Sequence, residues 1–83
     1  MSCDDSALVA SVNSKGDTAM GNGEFAMALS YFESISSCKN VLTAMYLASC
    51  RARNFPKAKV YFEQLGKESY AQICMKEGYD PRK

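Results

Sequence analysis

The sequence predicts an all-α fold in which antiparallel helical hairpins stack on one another, five helices in a single domain over residues 1–83. Three observations carry this. The stretch EFAMALSYFESI (Glu24 to Ile35) returns as NFPKAKVYFEQL (Asn54 to Leu65), with Phe25, Ala28, Tyr31, Phe32 and Glu33 each repeated thirty residues later. Within the first copy, Phe25, Ala28, Leu29, Phe32 and Ile35 fall at i, i+3, i+4, i+7 and i+10, one face of a helix. Strand alternation is nowhere sustained. At 83 residues the chain has one core and buries about 60–65% of its unfolded surface. With 47% hydrophobic and 23% charged residues and a net charge of +1, it is globular rather than disordered.

The elements follow in order. Asp4, Asp5 and Ser6 offer N-caps for a first helix from Ala7 to about Met20, with Leu8, Val12, Ala19 and Met20 at near-helical intervals. GNG at Gly21 to Gly23 ends it and turns the chain. The second helix runs from Glu24 to about Ser36, completing a first hairpin over residues 6–37. After the polar connector SSCKN, a third helix over Val41 to Cys50 is apolar almost all round and is expected at the centre. Asn54 is a candidate cap for the fourth helix, where Pro56 fits only the first turn, and Gly66 stops it, so the second hairpin spans residues 40–66. A capping helix is expected over 68–77, with Gly78 closing it and residues 78–83 a tail. Neither hairpin can bury its Phe and Ala stripe alone, so like units stack.

These residues resemble a tetratricopeptide repeat (TPR). Gly16 stands inside the first helix where two helices approach closely. Gly23 and Phe25 hold the turn, Ala28 is the small residue of the second helix, and Phe32 follows one turn on. The second unit keeps Phe55, Ala58 and Phe62 but has Tyr46 where Gly16 would recur. It also lacks the family's proline after the second helix and repeats at thirty rather than thirty-four residues. The likeness covers about residues 8–66, with Glu68 to Glu77 similar to the family's terminal capping helix. It implies a short right-handed superhelix. A mid-helix glycine costs about 1 kcal/mol against alanine, which close helix contact would offset. The alternative is that Gly16 ends one helix and another begins near Asp17.

Little in the chain is suited to catalysis. There is no histidine, and the nine carboxylates form no spaced pair for acid–base work. GNG has no following Lys-Ser or Lys-Thr and is a poor phosphate loop. No enzyme activity and no cofactor are expected. Cys3, Cys38, Cys50 and Cys74 contain no close pair, which argues against a metal. Cys50 and Cys74 read as small buried hydrophobes. Cys38, beside Lys39, reads as the most reactive thiol, and Cys38, Cys50 and Cys74 are the candidate redox residues, with Cys38 pairing to Cys50 or Cys74 if the domain is exported. No run of about 18 apolar residues and no basic leader is present, so a cytoplasmic location away from membranes is expected.

Charge is uneven: residues 1–37 carry a net −4 and residues 38–83 a net +5. Arg51, Arg53, Lys57 and Lys59 form a candidate basic rim for an acidic peptide or for the acidic half of a second copy, although a solvated rim is the alternative. Near-neutral charge and the absence of a reading motif argue against nucleic acid. The resemblance implies a protein–protein interaction module, a scaffold or adaptor whose first helices line a concave groove for a partner peptide or helix. The groove face would be Asn13, Asp17 and Met20 on the first helix and Thr43, Leu47 and Arg51 on the third, with Met20 and Leu47 equally suited to the core. The family's two-lysine clamp for chaperone C-termini is unmatched, because Asn13 and Asp17 occupy that face and Ala44 replaces a donor. Two repeats are few, so weak self-association is a further expectation. Rival readings are a redox-responsive domain locked by cysteine pairing and a module that self-assembles through its opposed halves.

Overall fold

A computed structural model describes residues 3–83. Among the described residues there are five α-helices, α1 (Ser6–Gly21), α2 (Phe25–Ser34), α3 (Leu42–Arg51), α4 (Phe55–Leu65) and α5 (Ala71–Met75), the last preceded by a 3-10 turn at Glu68–Tyr70. No strand occurs among the described residues. α1 packs on α2, α2 on α3, and α3 on both α4 and α5, a serial zigzag measuring 39 × 26 × 18 Å. Among the described residues no helix is long and apolar enough to cross a membrane.

The caps set the boundaries. Asp5 accepts from the Leu8 amide at 2.9 Å, satisfying one of the first-turn donors of α1. Asn54 plays the same part for α4 toward the Lys57 amide, and Gly66 closes that helix at φ 68°. Gly16 lies inside α1, so the helix does not restart at Asp17. The reason is contact: a Cβ built at Gly16 would stand 2.5 Å from Phe32 Cε1. The stripe of α1 is rotated from expectation, with Val9 buried and Leu8 46% exposed.

The repeat in sequence is a repeat in space. Ala28 and Ala58 are both completely buried, each where its hairpin closes. Phe32 lies over Gly16 in the first hairpin; in the second, Phe62 meets Tyr46 with ring centroids 5.9 Å apart. Position 46 is position 16 advanced by the repeat, so the contact survives although the partner has grown from no side chain to a phenol. The consequence is unequal burial. Phe32 is 1% exposed, whereas Phe62, Phe25 and Phe55 are only half-buried, so the four phenylalanines do not carry the fold equally. Tyr46 is fully buried and donates its hydroxyl to the Tyr70 carbonyl at 2.6 Å, tying α3 to the capping segment.

Two expectations for the C-terminal segment are corrected. The capping helix is a 3-10 turn followed by the short α5, ending at Met75 rather than near residue 77. Residues 78–83 are not a loose tail. Tyr79 stacks on Phe55 at 4.6 Å, Pro81 is fully buried, and Lys59 Nζ donates to the Lys83 carbonyl. An aromatic ring and a proline give this polar-looking segment enough apolar surface to dock. α5 also continues the thirty-residue step. Ala71 and Cys74 stand thirty after Val41 and Ala44, and Ala71 and Cys74 are buried. α5 packs on α3, the first helix of the second hairpin, whereas α3 packs on α2, the second helix of the first, so the sequence step is kept while the packing differs.

The cysteines are paired, Cys3 with Cys38 and Cys50 with Cys74. Both expectations for them are corrected: Cys50 and Cys74 are buried but bonded to each other, and Cys38 reaches Cys3 instead of either. The first bridge ties the entry of α1 to the connector before α3, and the second ties α3 to α5.

Candidate interaction faces

On α1 the predicted groove residues lie one and two turns apart: Asn13 is half-buried, Asp17 exposed, and Met20 half-buried against the core. On α3, Thr43 and Arg51 are exposed and Leu47 is half-buried between them. Met20 is thus shared between core and surface, as its position on the edge of the apolar stripe requires. The Arg51 guanidinium sits 5.9 Å from the Phe25 ring centroid, linking the end of α3 to the start of α2. None of the six residues lines the depressions beside Tyr31, Tyr61 and Cys38.

The basic rim is mostly engaged within the chain. Lys57 contacts Glu33, Lys59 reaches the Lys83 carbonyl, and Arg53 lies 5.7 Å from the centroid of Phe55. Arg53 holds φ 60°, the one non-glycine left-handed residue described, at the turn between α3 and α4.

Sequence reasoning missed the polar joint between the hairpins. Glu33 on α2 receives Lys57 Nζ on both carboxylate oxygens at 2.9 Å and the Tyr61 hydroxyl on Oε2. Burial pushes the Glu33 carboxyl up, but the hydrogen bonds from Tyr61 and Lys57 and the lysine's charge outweigh it and hold the group below its ordinary value. Burial, then the bond to Glu33 and its charge, pushes Tyr61 up to about 12. One signal was available: glutamate and tyrosine recur at fixed offsets in both copies, which a purely solvated face does not require.

The two bridges differ in exposure. Cys50 and Cys74 are both at 0% exposure, whereas Cys3 is exposed and Cys38 half-buried, beside a 220 Å³ depression that Lys39 and Val9 also line. A dithiol reductant can reach the first pair without disturbing the core.

Compared with family models, with curated proteins and with solved structures, the chain shows no match to any of them.

Proposed function

We propose that the chain is a non-enzymatic protein–protein interaction module that receives a partner's peptide or helix across the first helices of its two hairpins. The observation that supports this is the division of α1 and α3 into two faces. Val9, Val12, Gly16 and Ala19 on α1, and Met45, Ala48 and Ser49 on α3, are buried in the stack. Asp17, Thr43 and Arg51 are left exposed, with Leu47 half-buried among them as an apolar anchor. The test is capture of a partner by the oxidised chain, compared with Leu47→Glu plus Arg51→Glu. Loss of a captured species at unchanged melting temperature supports the reading. Equal capture by the folded variant refutes it.

A second reading is favoured by one observation, the exposed Cys3–Cys38 pair. In it the module is redox-responsive, and opening this bridge loosens the start of α1 and with it the Asn13 and Asp17 side of the face. Two disulfides also bear on location, because they persist in oxidising compartments and are reduced in the cytosol. A count of free thiols on the protein isolated in denaturant with its redox state trapped separates the cases. Four thiols support the cytoplasmic expectation; none supports an oxidising compartment.

A further inference from the structure

The exposed bridge is asymmetric, and the asymmetry decides which of its sulfurs an external thiol attacks. Cys3 is exposed and precedes α1, whereas Cys38 is half-buried in the connector between α2 and α3. Cys38 is held from behind. Its amide and that of Lys39 both donate to the carbonyl of the completely buried Ile35 at 3.0 Å. The Ser37 hydroxyl lies 3.8 Å from the Cys38 sulfur, and the exposed Lys39 lines the same depression, so negative charge arriving on that sulfur finds a donor and a cation nearby. Cys3 is followed instead by Asp4 and Asp5, whose charges disfavour a thiolate there. The positive end of α1 gives little offset, because Asp5 already fills it by accepting from the Leu8 amide. Ser6, Val9 and Ala10 complete the depression, which at 220 Å³ can seat a short alkyl thiol beside the bridge.

We propose, building on the redox-responsive reading above, that Cys3 is an S-thiolation site for small monothiols, with Cys38 as the group released. The incoming thiol gives its proton to solvent and its sulfur bonds to Cys3 Sγ. The Cys3–Cys38 bond breaks, and its electron pair leaves on Cys38, which then takes up a proton. One disulfide replaces another, the thiol's sulfur being oxidised and that of Cys38 reduced, so no further oxidant is required. In the return step Cys38 attacks Cys3 Sγ of the adduct and expels the small thiol. Its anchorage on the Ile35 carbonyl keeps it in place for that return. While the adduct persists, the entry of α1 is untied from the connector. The completely buried Cys50–Cys74 bridge meanwhile holds α3 to α5. The supply of small thiol therefore sets how much of the chain has a loosened first helix.

The test uses the full oxidised chain, pulsed with excess 2-mercaptoethanol, quenched in acid, alkylated with N-ethylmaleimide and mapped by peptide mass spectrometry. The expected early species carries the mercaptoethanol adduct on Cys3 and the maleimide on Cys38, roughly tenfold over the reverse arrangement, with Cys50–Cys74 intact. Lys39→Gln should slow the appearance of the Cys38 thiol about threefold, since the cation beside the leaving sulfur is lost. An adduct on Cys38, or on both cysteines equally, overturns the assignment while leaving the redox-responsive reading intact. So does an unchanged rate in Lys39→Gln, which would remove Cys38 as the favoured leaving group. Opening by dithiothreitol but not by 2-mercaptoethanol, or release of both thiols with no adduct, would rule out the monothiol in the same way. A bridge that resists both reagents in the folded chain sinks the redox-responsive reading as well.

Discussion

Gly16→Ala should destabilise the fold even though alanine is the better helix former. In an exposed helix this substitution would gain about 1 kcal/mol. Here the new methyl would lie 2.5, 2.7 and 3.0 Å from three atoms of the Phe32 ring. Ordinary carbon contacts are about 3.5–4.0 Å, so the ring must retreat by about 1 Å. Phe32 is 1% exposed and has no open side to retreat into. Overpacking of a closed core costs about 1–3 kcal/mol, and an overlap this deep belongs in the upper half, leaving a net loss of about 1–2 kcal/mol. For a domain of this size that is a fall of about 5–10 °C in melting temperature, read by circular dichroism with the disulfides intact. Gly21→Ala is the internal control. It sits at the end of the same helix with nothing within 4 Å of the added methyl, and it should stabilise by about 0.5–1 kcal/mol. Opposite signs at two glycines of one helix are the signature of close approach. If both substitutions stabilise, the packing of α1 against α2 is wrong.

Phe32→Ala should cost about 3–5 kcal/mol and the half-buried Phe62→Ala about 2 kcal/mol, measured by urea denaturation; equal costs would contradict the unequal burial. Glu33 is depressed, so the stability it contributes is present above its unfolded value near 4.5 and lost as pH falls through the lower folded value. Tyr61 is raised, so its contribution is present below about 10 and lost as pH climbs toward about 12. Tyr61→Phe should flatten both limbs of the stability profile, and an unchanged profile would dismiss the joint. Cys50→Ala with Cys74→Ala should cost about 3 kcal/mol, because the bridge closes a loop across 24 positions. With a mild dithiol, Cys3–Cys38 should open first, and mass spectrometry of alkylated intermediates would show the reverse order if the exposures were misjudged.

Most helix boundaries were legible because their signals are local. Asp5, Asn54 and Gly66 act within three or four residues of themselves, and the alternation of Phe and Ala needs only the helical period. Gly16 was legible because an unfavourable residue in a helix demands a reason, and the reason is the nearest large side chain of the next helix. What stayed hidden is what distance along the chain conceals. Cys3 and Cys38 are separated by 35 positions, and Glu33 and Lys57 by 24, so their partners are set by how whole helices stack. Leu8 was misplaced through a one-residue error in phase, which on a helix is a rotation of about 100°. The segment 78–83 was misread because its charges are conspicuous in the sequence, while the docking is done by Tyr79 and Pro81. The groove face is a matter of helical spacing alone.

The placement of the two bridges fixes how the molecule would yield under tension. Force applied at its ends bypasses everything enclosed between Cys3 and Cys38 and between Cys50 and Cys74. The stretch from Cys38 to Cys50 is the only internal length free to pay out, about 40 Å when drawn straight. That stretch holds the connector and nearly all of α3, the strut on which α2, α4 and α5 all lean. A pull would therefore load both the docked segment 78–83, which lies outside the two loops, and the centre, and the oxidised molecule should yield only in short steps, with longer extensions released after a reductant has cut the loops.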